Sequence, residues 1–270
     1  MRIFIITMDD PLQTNKFIKQ IIQHRKQDII GLAVPKGDRL TIGKKHSKGG
    51  YLLSLFMIMG PIHFMGNAFK VINYKIREQF SKYFPFIASA SIKSFAENAG
   101  IQTYKIKSPN GKKFLDELKE MRPDVIINQS QCILKKDLLS IPKMGVINRH
   151  NALLPKNRGR LSPFWVLYKK EKETGVSIHF VEAELDSGDI IVQKKVDVDK
   201  IDNFNSLVKK SYQIAADAML EALDKLENQD FEPIHNDDSR ATYNSIPTFR
   251  DAMKYRFSRI SGLFKRIQAS

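Results

Sequence analysis

The chain has one cysteine, Cys132, among 270 residues. That excludes an intrachain disulfide framework and suits a reducing, cytoplasmic setting. No Cys/His pairs occur at metal-ligand spacing, so no metal centre is expected. Acidic residues are scarce: 29 Asp and Glu stand against 44 Lys and Arg, a formal charge of +15. Long apolar runs are also scarce. Tyr51–Phe69 approaches bilayer-spanning length, but Gly60-Pro61 splits it and Gly66-Asn67 interrupts it, which argues against spanning. There is no internal repeat and no low-complexity tract. The opening MRIFIITMDD has no small-residue cleavage site and meets two acids at once, so a buried strand is expected there rather than a signal peptide.

What is present is core-forming material, 42% of the residues. Short apolar segments at Arg2–Thr7, Asp28–Val34, Asp124–Asn128 and Gly145–Asn148, and the mixed segment Gln102–Lys107, read as strands. Helical patterns at Leu12–His24, Ser91–Asn98, Lys112–Met121 and Lys136–Ser140 alternate with them. This predicts an α/β, Rossmann-like, mainly parallel sheet covered by helices on both faces. A helix at Leu161–Lys170, strands at Gly175–Glu182 and Ile190–Val196, and a long helix at Asn203–Asn228 follow. The expected organisation is one domain over 1–228, interrupted by a basic, apolar, helical insert at about 39–84, then a C-terminal loop and basic helix over 229–270. The insert holds eight Lys/Arg against one acid, and 249–267 holds six against one. Phe249, Met253, Phe257, Ile260, Phe264 and Ile267 recur at helical spacing, and Thr248 with Asp251 resembles a capping box.

Asn148-Arg149-His150 ends an apolar strand, where ligands of parallel sheets sit. Leu185-Asp186-Ser187-Gly188-Asp189 adds a carboxylate on a tight turn, with Gly188 expected to take a positive φ. Acyl transfer to an amine passes through an oxyanion. Asn148 suits its stabilisation. His150 suits a second stabiliser and proton carrier, and Asp186 a group that orients the ring or a water. Taken singly, each has a plain structural reading: a hydrogen-bonding histidine, an ordinary turn.

The ordered set Asn148-x-His150, Leu153-Leu154-Pro155, Arg158-Gly159, Pro163, Thr174–His179 and Leu185–Ile191 resembles the formyltransferase family that uses 10-formyltetrahydrofolate. Members act on glycinamide ribonucleotide, methionyl-tRNA or amino sugars. The resemblance spans about 2–226 and is most specific over 125–196. It implies Asn148, His150 and Asp186 as the catalytic trio. It also implies folate contacts along Gln131, Cys132, Ile133 and Leu134 and along Glu182, Ala183, Glu184 and Leu185. Ser177, His179 and Arg158 are implied in support, with no metal. One departure is Ala152, where the family has Ser after the His; Asn151 is the nearest polar substitute.

The first strand–helix turn, Thr7-Met8-Asp9-Asp10-Pro11, lacks the glycines that hold phosphate in the ribonucleotide enzymes and carries two carboxylates. After the long helix a loop and one helix are expected rather than the C-terminal barrel of the tRNA enzymes, and their first-turn motif is missing. The expected acceptor is therefore a small amine, such as a nucleotide- or lipid-linked amino sugar. Methionyl-tRNA, or hydrolysis of the formyl donor, are the alternatives, and a non-catalytic relative the third. The basic segments admit three readings: packing on the core, an anionic membrane surface met through 39–84 and 249–267, or nucleic acid. Nothing in the sequence speaks to oligomeric state.

Overall fold

The computed structural model describes residues 1–36, 47–84 and 86–267, with side chains to residue 261. Arg39, Lys44 and Lys45 of the insert, and the side chains of Phe264 and Ile267, lie outside the described residues. In chain order the elements are β1 (Ile3–Thr7), α1 (Thr14–Arg25), β2 (Ile29–Pro35), α2 (Lys48–Met59), α3 (Pro61–Ser81), α4 (Ile92–Asn98), β3 (Thr103–Ile106), α5 (Lys112–Met121) and β4 (Val125–Gln129). They continue with α6 (Lys136–Leu139), β5 (Gly145–His150), β6 (Arg158–Gly159), α7 (Ser162–Tyr168), β7 (Glu173–Phe180), β8 (Ile190–Asp197), α8 (Phe204–Asn228), β9 (Tyr243–Asn244) and α9 (Phe249–Ile267).

Seven strands form one sheet in the order β3-β2-β1-β4-β5-β7-β8. Pairing is parallel from β3 through β5, then antiparallel for β7 and β8. The order reverses between β1 and β4, the position in such sheets where a crevice opens at the carboxyl ends of the strands. Period-two alternation splits the core. Ile3 and Ile5 pack against α1, α4 and α8, while Phe4 and Ile6 pack against Phe114 and Leu118 of α5 and Leu138 of α6. Burial on both faces accounts for the uninterrupted apolar runs.

Two expected helix starts are caps. The Ser91 hydroxyl accepts from Ser94 N–H ahead of α4, and Asn203 forms a capping box with Ser206 ahead of α8. In the insert, Gly60 at φ +79° ends α2 and Pro61 is the first residue of α3. Gly66-Asn67 does not interrupt α3. A glycine inside a helix costs about 1 kcal/mol, too little to break it alone. Among the described residues no helix is long and apolar enough to cross a membrane.

Ile58 of α2, Phe164 of α7, Phe204 of α8 and Ala252 and Tyr255 of α9 form a separate apolar cluster. The Thr248–Asp251 cap starts α9 as expected. Its buried face is nevertheless not the periodic one: Phe249, Phe257 and Ile260 face outward. The small Ala252 allows close approach, and Arg259 holds the carbonyls of Ile201 and Asp202, which fixes the rotation of the helix.

Candidate active site

Alternation along β5 sends Val146, Asn148 and His150 to the α5 face, and Ile147 and Arg149 to the face of α1 and α8. Antiparallel β7 sets His179 opposite Asn148 and Ser177 opposite His150. Four polar side chains thereby share one face at the carboxyl end of β5.

The Asn148 amide has a defined direction. Arg149 can only donate, and its Nε lies 3.1 Å from Gln129 Oε1. Gln129 Nε2 is therefore the donor to Asn148 Oδ1, at 2.7 Å. That leaves the Asn148 Nδ2 hydrogens outward, one of them toward His179 Nε2 at 3.4 Å. Arg149 itself lies over the rings of Tyr212 and Phe17, bonded to Tyr212 Oη and Asn151 Oδ1. Asn151 is thus spent on the opposite face and does not substitute for the serine that Ala152 replaces.

His150 Nε2 sits 2.8 Å from the Asn157 carbonyl, so it carries a hydrogen, and Ser162 Oγ is 3.2 Å away. Its Nδ1 faces Asp186 Oδ2 at 3.4 Å. Asp186 Oδ2 also accepts from Gly159 N–H at 2.9 Å, and Asp186 Oδ1 lies 3.7 Å from His179 Nε2.

His179 is only 1% exposed. Burial pushes its pKa down to about 4; the Asp186 charge opposes this, and His150 reinforces it. The ring is neutral, donating Nδ1–H to the Phe180 carbonyl at 2.7 Å and keeping Nε2 as the acceptor for Asn148. The unfolded ring takes a proton below about 6.5 and the folded ring only below about 4. Stability is therefore full above the first value and falls as pH drops toward the second, by on the order of a few kcal/mol. His179→Gln has no titrating ring and is expected to flatten this acid-side loss. Urea midpoints measured from about pH 4 to 7 check it.

The positive φ in the turn belongs to Asp186 (53°), not to Gly188. Gly188 is there for close approach: a Cβ would stand 2.2 Å from the Phe180 carbonyl oxygen. Gly159 is more constrained. Its φ is +101° and a Cβ would meet the Asn244 carbonyl oxygen at 2.1 Å, where β6 pairs with β9. Gly159→Ala is expected to destabilise by about 2–4 kcal/mol and to displace the N–H that Asp186 uses. A thermal midpoint lowered by several degrees, with slowed turnover, checks it.

A family model described as Formyl transferase matches residues 76–223, more than half of the chain. The chain belongs to the formyl transferase family. Methionyl-tRNA formyltransferase from Thermotoga maritima is 38% identical over 158 residues, covering 58% of this chain and 50% of that protein. The enzyme of the same name from Kosmotoga olearia is 32% identical over 179 residues, covering 66% and 58%. The chain thus spans about half the length of the curated relatives it matches. Glycinamide ribonucleotide transformylase 1 from Symbiobacterium toebii superposes with a TM-score of 0.60 at 15% identity, over 88% of this chain and 94% of that one. An N-formyltransferase from Helicobacter canadensis, solved with folinic acid and dTDP-3-aminofucose, gives 0.55 at 15% identity, over 91% and 71%. Both share this fold.

Of the residues that the family resemblance singles out, Asn148, His150, His179 and Asp186 come together. In the segment after β4, Ile133 is exposed while Leu134 is buried in the core. Asn110 clamps this segment, donating to the Ile133 carbonyl at 2.8 Å and accepting from Lys135 N–H at 2.8 Å. Gln131 and Glu182–Leu185 are exposed, and Cys132 is half-buried. Ser177 is turned elsewhere: it donates to the Ala152 carbonyl and accepts from Leu154 N–H, so it shapes the turn after His150. Arg158 is fully buried and bonds Asn236, Asp238 and Tyr243, tying the C-terminal segment to β6. Sequence reasoning missed Gln129, Asn157, Gly159 as a donor, and Asn236, whose amide holds the Asp186 carbonyl at 2.8 Å.

Proposed function

We propose that this protein transfers the formyl group of 10-formyltetrahydrofolate to the amino group of a small cytoplasmic acceptor, an amino sugar carried on a nucleotide or a lipid. The observation that carries the reading is the directed amide of Asn148 beside the 3.4 Å contact of His150 Nδ1 with Asp186 Oδ2. The acceptor nitrogen attacks the formyl carbon, and the carbonyl electron pair moves onto oxygen. Asn148 Nδ2–H stabilises that oxyanion, with the His150 ring beside it as the second group that the resemblance implies. The bond from carbon to the folate nitrogen then breaks with its pair. The His150–Asp186 pair takes a proton from the attacking amine and hands one to the folate nitrogen as the carbonyl re-forms. The exposed backbone around Ile133, clamped by Asn110, and the 182–185 loop suit the donor–acceptor edge of a pterin ring.

The first helix favours a small acceptor not anchored there by phosphate. Asp10 already occupies the α1 N-terminus, accepting from Gln13 N–H at 3.2 Å and Thr14 N–H at 3.3 Å. An anion in that place would meet a carboxylate. The second reading, methionyl-tRNA as acceptor, is favoured by the names of the curated relatives and by the charge of +15. The test is incubation with the formyl donor and, separately, nucleotide-linked amino sugars, methionyl-tRNA and buffer alone, followed by mass spectrometry. A formylated sugar amine is expected. Formylation of methionyl-tRNA alone would replace the acceptor, and formate release alone would replace transfer by hydrolysis.

A further inference from the structure

Helix α3 is inverted relative to an ordinary surface helix. Its inward contacts are polar: Tyr74 Oη donates to the Asp9 carboxylate, Arg77 Nε to the Ala88 carbonyl, and the Glu78 carboxylate accepts from Ser89 Oγ and the Ala90 and Ser91 N–H groups. None of its 21 residues is buried. Its outward side is apolar. Ile62, Met65, Phe69, Ile72, Ile76 and Phe80 follow one another in steps of three or four and are 48–84% exposed. Spacing of that kind makes one continuous stripe. Tyr83, Phe84 and Phe86, also exposed, extend the apolar surface beyond the helix end. Contiguous apolar surface of this extent marks an interaction site.

The charges say what covers it. At about 100° per residue, Lys70 and Arg77 fall on one flank of the stripe and Lys75 and Lys82 on the other. All four are exposed, and Glu78, the one acid of α3, is turned inward. Pairing two copies stripe to stripe would bring basic rows against basic rows. Anionic headgroups complement both rows at once, while the acyl boundary takes the stripe. Helix α9 repeats the pattern more weakly, with Phe249, Phe257 and Ile260 exposed.

We propose that α3 is a docking helix that lies in the plane of an anionic bilayer surface. It lies on the bilayer and does not cross it, in keeping with the absence of a spanning helix among the described residues. Its Tyr74–Asp9 bond fixes it beside the β1–α1 loop, where Met8 N–H donates to the Gln129 carbonyl at 3.3 Å. The docked surface would therefore border the strand ends that carry Asn148. The inference stands apart from formyl transfer, because its readout is binding alone.

The test is co-sedimentation of the full chain, at low salt, with vesicles of phosphatidylcholine alone or mixed with phosphatidylglycerol, with light scattering for size. Binding to the mixed vesicles is expected, weakened at least about tenfold by Phe69→Ser with Ile72→Ser. Lys70→Gln, Lys75→Gln and Lys82→Gln together are expected to weaken it roughly a hundredfold, at about fivefold per lysine. All five positions are exposed, and circular dichroism confirms that the variants stay folded. Failure to bind the mixed vesicles, binding indifferent to these changes, or a dimer that Phe69→Ser with Ile72→Ser dissociates would overturn the proposal.

Discussion

Asn148→Ala is expected to slow formyl transfer by about a hundred- to a thousandfold, with donor affinity and fold nearly unchanged. The amide matters when negative charge builds on the formyl oxygen, so its loss falls on kcat more than on KM. Asn148→Asp should be at least as slow, because a carboxylate would face the developing oxyanion. The effect has a graded companion in Gln129. Arg149 supplies a hydrogen to Gln129 Oε1, and the Asn128 carbonyl accepts from Gln129 Nε2 at 2.8 Å, so Nε2 points at Asn148 Oδ1. Gln129→Met keeps the bulk but releases that orientation, and should lower kcat by about tenfold with the donor dissociation constant held. Equal turnover in Asn148→Ala and the parent protein would remove the oxyanion role.

Asp186→Asn comes next, with an expected loss of about a hundredfold or more. Asparagine tolerates the left-handed backbone at φ 53°, and its side-chain oxygen can still accept from Gly159 N–H. Alanine would add strain at the same φ and confuse the result. What the substitution removes is the carboxylate that faces His150 Nδ1 at 3.4 Å. The loss should therefore fall on kcat more than on KM. A loss confined to KM, or matched by a lowered thermal midpoint, would place Asp186 in a purely structural role.

Strands β1, β2 and β4 were legible because both of their faces are buried, which leaves short apolar runs, whereas the edge strand β3 is only half-buried. Lys112–Met121 was legible to the residue, since amphipathic spacing and flanking turn residues agree there. The trio was legible in part because residues two apart on a strand share a face, which brings Asn148 and His150 together before any tertiary contact. Residues that act through distant partners gave no local signal. Gln129 lies 20 residues from Arg149 in the chain, and Asn236 lies 50 from Asp186. Two local inferences missed for steric reasons. Gly188 serves close approach to Phe180 while Asp186 takes the positive φ, and Asn151 is drawn to Arg149. Periodicity found the apolar stripe of α9 but not its direction. Stripe and core coincide only when the apolar side is the one that packs, and in α3 and α9 polar anchors decide the rotation instead.

The most direct measurement of the central claim follows the carbon itself. The protein is given 10-formyltetrahydrofolate labelled with carbon-13 in the formyl group, together with an amino-sugar acceptor, and the label is traced by NMR. The expected result is a labelled formamide on the acceptor, one tetrahydrofolate released for each, and neither in Asn148→Ala on the same time scale. Label recovered only as free formate, or retained on the donor while the acceptor stays unmodified, would contradict the account.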